Sequence, residues 1–266
     1  MSISRFFILP VTVALAVSCT ALDVPSTSPS PTRLLISAEN TRMQLDDKLS
    51  SVWNYGDLIS VFLKDGVNTR WKYAGQDKAA SGYIEYDGDG KIDIDAHKSA
   101  VFPYNSSYSL ENGCVKTIIP AEQTAVNGSY SFAVLTAVTD NDKLFFRYAN
   151  AFIRLKFKGS GTIDSITVKA DEGEKLCGEV TVNLTDASAV ASGEGHDSVL
   201  IKNENGSPVS TLSEGSFECF VAIIPGSYKS FTVTAMTSKG EKQFHCIDIK
   251  PFSPGCGEYV TVVGFI

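Results

Sequence analysis

The sequence of 266 residues is short of the residues that most chemistry requires. Its three histidines, His97, His196 and His245, lie far apart, and none stands at a two-ligand spacing. No His-Glu-x-x-His occurs, which removes the usual zinc hydrolase. No Cys-x-x-Cys pair suggests zinc or a redox dithiol, and no Gly-x-Ser-x-Gly turn presents a serine nucleophile. Glycine-rich stretches such as Gly193-Glu194-Gly195 carry acid where a phosphate cradle needs Lys and Ser or Thr. The net charge of −7 comes without a basic stripe, so nucleic acid is a poor partner. No window holds a 3.6-residue apolar stripe of helical length. The expectation is a protein that is not an enzyme, with no cofactor and no metal.

What is present begins at the N-terminus. A single cation, Arg5, precedes an apolar run from Phe6 to Val17, and the stretch closes on Leu15-Ala16-Val17-Ser18-Cys19. A charged start, a short apolar core and small residues at the cut form a secretory signal. The run is too short for a spanning helix, which needs about 20 residues. With Ser18 followed directly by Cys19, the segment resembles a bacterial lipoprotein signal. That resemblance implies removal of residues 1–18, lipid such as palmitate on the Cys19 thiol, and anchoring to the outer membrane. A plain signal with an incidental cysteine is the alternative. Residues 19–32 then read as a tether, because Pro25-Ser26-Thr27-Ser28-Pro29-Ser30-Pro31 offers nothing to a core.

Setting Cys19 aside leaves Cys114, Cys177, Cys219, Cys246 and Cys256, an odd set at irregular spacing that makes no disulfide framework. Cys219 sits in the apolar run Phe217 to Ile224 and reads as a small core residue. Whether Cys246 and Cys256 pair is left open.

From Leu34 onward the pattern is strand after strand. Val180, Val182 and Leu184 alternate with polar residues, as do Phe231, Val233 and Ala235, and Ile153, Leu155 and Phe157. Period-two alternation puts one face on a core and one in water. Turn signals stand at Asp65-Gly66, Asp87-Gly88-Asp89-Gly90, Gly159-Ser160-Gly161, Asn205-Gly206 and Pro225-Gly226. The expectation is all-β, with antiparallel sandwiches. Strands are expected near Leu58–Leu63, Gly82–Glu85, Ala100–Phe102, Val115–Ile119, Phe132–Ala137, Phe152–Phe157 and Tyr259–Val263. A division into an N-terminal domain at 33–146 and a C-terminal domain at 147–266 gives each half enough chain for its own core.

Two features invite a functional reading. Glu85, Asp87, Asp89 and Asp93 fill four places of a calcium loop, but Ala96 stands where the bidentate Glu is needed, and the flanks Tyr83-Ile84 and Ile92-Asp93-Ile94 read as strands. A solvated hairpin turn is the simpler account, and cation binding at Asp87–Asp93 stays open. Trp53, Tyr55, Trp71, Tyr73, Tyr104, Tyr108 and Tyr130 either fill a core or form a platform for sugars. Core filling is the commoner fate of such rings.

Several stretches, taken together, resemble the fimbrillin-like lipoproteins of Bacteroidales, the FimA/Mfa type of pilus subunit. They are Asn40-Thr41-Arg42 with Val52-Trp53-Asn54-Tyr55-Gly56-Asp57-Leu58-Ile59-Ser60-Val61-Phe62, then Ala100-Val101-Phe102-Pro103-Tyr104-Asn105 and Ile119-Pro120-Ala121-Glu122-Gln123-Thr124. Leu144-Phe145-Phe146-Arg147-Tyr148-Ala149-Asn150-Ala151-Phe152-Ile153-Arg154-Leu155-Lys156-Phe157 resembles the family's opening of its second domain. The resemblance implies two tandem transthyretin-like sandwiches on the cell surface. It also implies assembly by strand exchange: a protease cuts after an arginine near the start of the first domain and frees its first strand. On this chain that strand is Leu34–Ala38, Arg42 is the first choice for the cut and Arg33 the second. The implied partners are other pilin subunits, the outer membrane through lipid on Cys19, and a host or bacterial surface glycan or protein. The chain reads to its last residue as a closing strand, Glu258 to Ile266, with no appended donor. That favours a tip or accessory subunit over a stalk; the alternative is that this last strand itself detaches and donates. The competing reading is a surface lipoprotein that binds glycans and never polymerises.

Overall fold

The computed structural model describes residues 32–38, 52–63, 65–247, 251–253 and 261–265. The lipidation residue Cys19, the preferred cut at Arg42 and the thiol of Cys256 lie outside them.

The described residues form strands and no helix. In chain order these are β1 (Arg33–Ala38), β2 (Leu58–Phe62), β3 (Asn68–Tyr73), β4 (Ser81–Tyr86), β5 (Lys98–Phe102), β6 (Cys114–Ile119) and β7 (Glu122–Gln123). Then come β8 (Leu135–Thr139), β9 (Lys143–Tyr148), β10 (Ala151–Ala170), β11 (Cys177–Asn183), β12 (Ala189–His196) and β13 (Ser198–Ile201). The last are β14 (Ser210–Ile223), β15 (Ser230–Thr237), β16 (Gly240–Ile247) and β17 (Thr261–Phe265). The chain is therefore all-β.

The first set closes into a barrel in the order β1-β4-β3-β2-β5-β8-β9. Every neighbour in it is antiparallel except the closing pair, β1 with β9, which is parallel. Closure removes the unpaired edges that an open sheet would expose. Alternation sets the inside: Leu34, Ile36, Ile59, Val61, Trp71, Tyr73, Ile84, Leu144 and Phe146 are all buried.

The second set is organised on the 20-residue strand β10. Its first half carries β14 on one side and β17, parallel, on the other. Its second half lies between β13 and β15, with β16 outside β15 and the two-residue β7 parallel to β13. A third sheet runs β12-β11-β6. Among the described residues, β6 and β7, which precede residue 147 in the sequence, thus pair only with strands that follow it.

Three local expectations are corrected. Gly159-Ser160-Gly161 does not reverse the chain. It lies inside β10, where the register with β14 shifts between Gly159 and Gly161. Both glycines have positive φ, 125° and 134°, and relieve a bulge while Phe157 and Ile163 on either side stay buried. Ile92–Ile94 forms no strand, and Phe132–Val134 approaches β8 without joining a ladder.

Candidate functional site

Of the residues that the family resemblance marks for processing, Arg33 and Leu34–Ala38 form β1. Alternation along Arg33-Leu34-Leu35-Ile36-Ser37 sends Leu34 and Ile36 inward, each 1% exposed, and leaves Leu35 54% exposed. On one side, five residues of β1 pair with β4 from Arg33↔Glu85 to Ser37↔Ser81. On the other, Leu35 to Ala38 pair with Lys143 to Phe146 of β9. The ladder runs past the strand at both ends: Tyr86 N–H donates to Thr32 O (3.2 Å), and Ala38 N–H to Ala80 O (3.1 Å). β1 therefore fills a slot with two hydrogen-bonding walls and an apolar floor.

The floor is aromatic. Trp53 lies 5.1 Å from Phe146, 5.4 Å from Phe102 and 6.1 Å from Tyr73, ring centre to ring centre. Tyr73 is fully buried, and its hydroxyl lies 3.0 Å from Gln76 O and 3.1 Å from Ser81 O. This placement depends on Gly82, opposite Ile36 on β4: a Cβ there would stand 2.5 Å from the Tyr73 hydroxyl. The sequence hint was a glycine inside a strand pattern, which marks a close approach.

Where β1 ends, a cavity of about 270 Å³ opens among Ala38, Trp53, Asp57, Phe102, Tyr130 and Leu135. Burial pushes the Asp57 carboxyl above its ordinary range, against the Asn54 N–H that donates to it at 2.8 Å.

Arg33 opens β1. Its guanidinium pairs with Glu85 (Nη2–Oε1 2.7 Å) and lies 4.3 Å from the centre of the Tyr83 ring. The arginine side chain is half exposed, so the pair contributes about 0–1 kcal/mol. The main chain matters more: the bond from Arg33 to Leu34 lies inside the ladder with β4.

The other candidates separate. Of the seven rings named from the sequence, Trp53, Trp71, Tyr73 and Tyr108 are core, while Tyr55 is 66% exposed. In the acidic loop, Glu85 is held by Arg33, and Asp87 by Arg70 at 2.8 Å. Among the described residues, no group of three or more His, Cys, Asp or Glu is placed to hold a metal ion. Cys219 is buried as expected, 2% exposed, and burial pushes its thiol up to about 12.

No family model and no curated protein matches the sequence. Solved structures do match. A candidate cell adhesion protein from Bacteroides ovatus ATCC 8483 superposes with a TM-score of 0.58 at 14% identity, over 88% of this chain and 91% of that one. Another from Bacteroides uniformis ATCC 8492 gives 0.53 at 14% identity, over 88% and 92%. The fimbrial anchor protein Mfa2 from Porphyromonas gingivalis gives 0.35 at 10% identity, over 82% and 83%. The chain thus has the fold of the two Bacteroides proteins, consistent with the resemblance to Bacteroidales fimbrillin-like lipoproteins.

Proposed function

We propose that this protein is a structural and adhesive subunit of a cell-surface fimbria. In this reading it is a non-enzymatic protein, exported as a lipoprotein through Cys19 and made of two transthyretin-like domains. It joins other pilin subunits by exchange of its first strand, at a tip or accessory position. One observation carries the reading. β1 is held on both sides by main-chain bonds and seals the barrel with Leu34 and Ile36. A barrel that loses this strand presents β4 and β9 as two unpaired edges over apolar core. An incoming strand supplies both the hydrogen bonds and the side chains.

The geometry argues against Arg33 as the cut. A protease must draw the scissile bond into an extended, unpaired conformation, and the Arg33–Leu34 bond is committed to the ladder with β4. A cut there would also leave Leu34–Ala38 attached to the barrel.

The test is digestion of mature protein, its Arg42→Ala variant and its Arg33→Ala variant with an arginine-specific protease, followed by mass spectrometry. The proposal expects Arg42→Ala to resist maturation and Arg33→Ala to mature normally. Normal maturation of Arg42→Ala would dismiss that cut.

A further inference from the structure

The sheet β12-β11-β6 ends on β6, and the open side of β6 faces a cleft. β6 starts from a two-residue hairpin, Asn112-Gly113, with φ of 52° and 74°. Positive φ at both positions is the type I′ turn that suits hairpins. Glu111 and Cys114 exchange both main-chain hydrogen bonds across it, each 2.9 Å. The hairpin then stops after that one pair, because the chain before Glu111 turns away instead of continuing alongside β6.

The register shows what this leaves unpaired. Leu184 N–H donates to Gly113 O (3.0 Å), and β6 pairs with β11 from Asn183↔Cys114 to Gly178↔Ile119. In an antiparallel ladder alternate residues bond to opposite sides. Val115, Thr117 and Ile119 therefore bond to β11, while Cys114, Lys116 and Ile118 direct N–H and C=O outward. Glu111 takes those of Cys114. Among the described residues, nothing takes those of Lys116 and Ile118.

Two adjoining cavities, about 370 and 530 Å³, follow this edge and share Ser107 and Lys116. The larger is bordered by Tyr104, Tyr108, Lys116, Ile118, Phe132 and Glu179. Tyr108 is fixed there by a 2.7 Å hydrogen bond to Thr117 Oγ1. Ile118 is 60% exposed. Lys116 makes no ion pair among the described residues. The unpaired edge from Lys116 to Ile118 is about 7 Å long at strand rise, enough for two hydrogen-bonded positions of a short added strand.

We propose that the free edge of β6 docks an extended peptide segment of a partner protein as an added antiparallel strand. Its main chain bonds to Lys116 and Ile118. A carboxylate side chain stands opposite Lys116, an apolar one opposite Ile118, and the residue between them points an apolar side chain at the rings of Tyr104, Tyr108 and Phe132. β1, which pairs with β4 and β9, takes no part, so this site stands or falls independently of strand exchange there.

The test uses the mature full chain and the synthetic peptide acetyl-Thr-Thr-Val-Val-Glu-Thr-Thr-amide, with amide exchange read by NMR. At about 5 mM peptide, exchange at Lys116 and Ile118 slows by roughly tenfold or more, while Val115 and Thr117, already bonded to β11, do not change. N-methylation of the glutamate, and of the valine two residues before it, removes the protection. Lys116→Glu weakens binding by about tenfold. Main-chain recognition tolerates sequence, so absence of protection at both amides overturns the proposal. Protection that survives N-methylation overturns it too. Protection by lacto-N-tetraose in place of the peptide would make the cleft a sugar site.

Discussion

Replacing Ile36 with alanine tests whether β1 seals the barrel in the register described. Ile36 is 1% exposed and stands between Gly82 of β4 and Leu144 of β9. Gly82 has no side chain to move into the space, and the Tyr73 hydroxyl beyond it is already held against two carbonyls. The cavity would therefore persist, which places the cost toward the upper part of the 2–5 kcal/mol typical of Ile→Ala in a core. That is a large share of the about 5–15 kcal/mol that stabilises a domain. The neighbouring Leu35 is 54% exposed, and Leu35→Ala should stay within about 0.5 kcal/mol. Urea unfolding followed by tryptophan fluorescence reads both, since Trp53 and Trp71 are 3% and 0% exposed in the same barrel. A larger loss for Leu35→Ala than for Ile36→Ala would refute the reasoning, because a one-residue slip exchanges the inner and outer faces.

Three further outcomes follow from other parts of the fold. Gln123 binds the main chain of Ala222 on both sides, Oε1 accepting at 2.9 Å and Nε2 donating at 2.8 Å. Gln123→Ala strands two buried polar groups and should cost about 2–5 kcal/mol by chemical denaturation, whereas a loss under about 0.5 kcal/mol would mean that water replaces the side chain. Cys219, held near 12, should resist iodoacetamide at pH 8.5 in the native protein, and the less buried Cys114 should label before it. Comparable labelling by peptide mapping would show that β14 opens readily. The Asp171 carboxylate accepts from Ser230 and Thr232, both at 2.6 Å, which lowers its pKa below 3.8. The stability it contributes is present above that value and is lost as pH falls through the folded one. Melting curves should show Asp171→Asn trailing the parent slightly at pH 6 and converging with it toward pH 2; a gap that stays constant would rule out the titration.

The all-β fold was legible because strands with one dry face, such as β11 and β15, carry clean alternation. β12 and β16 were not seen because they are edges in which no side chain but Ala189 is fully buried, so they have little apolar pattern to show. Gly159 and Gly161 looked like a turn because positive φ serves a turn and a bulge equally, and only the partner strand β14 decides between them. The pairing of β6 with β11 joins residues some sixty apart, and local pattern does not specify which strand finds which. The hairpin at Asn112-Gly113 did have a signal, since Asn-Gly is the strongest short hairpin dipeptide. Asn105, Asn183 and Asn205, which look like glycosylation acceptors, each accept from the N–H two residues on and so form turns. At the candidate site, the family resemblance marked Leu34–Ala38 as the strand to be removed. The parallel pairing with β9 that makes its loss open a two-walled slot appears only in the fold.

The most direct test of strand exchange is to digest purified mature protein with an arginine-specific protease, add a partner subunit, and run the mixture unboiled on a denaturing gel. The account predicts release of the fragment containing Leu34–Ala38 and a denaturant-resistant complex that forms only after the cut. A first strand that stays bound after cleavage, with no complex at any partner concentration, would contradict it.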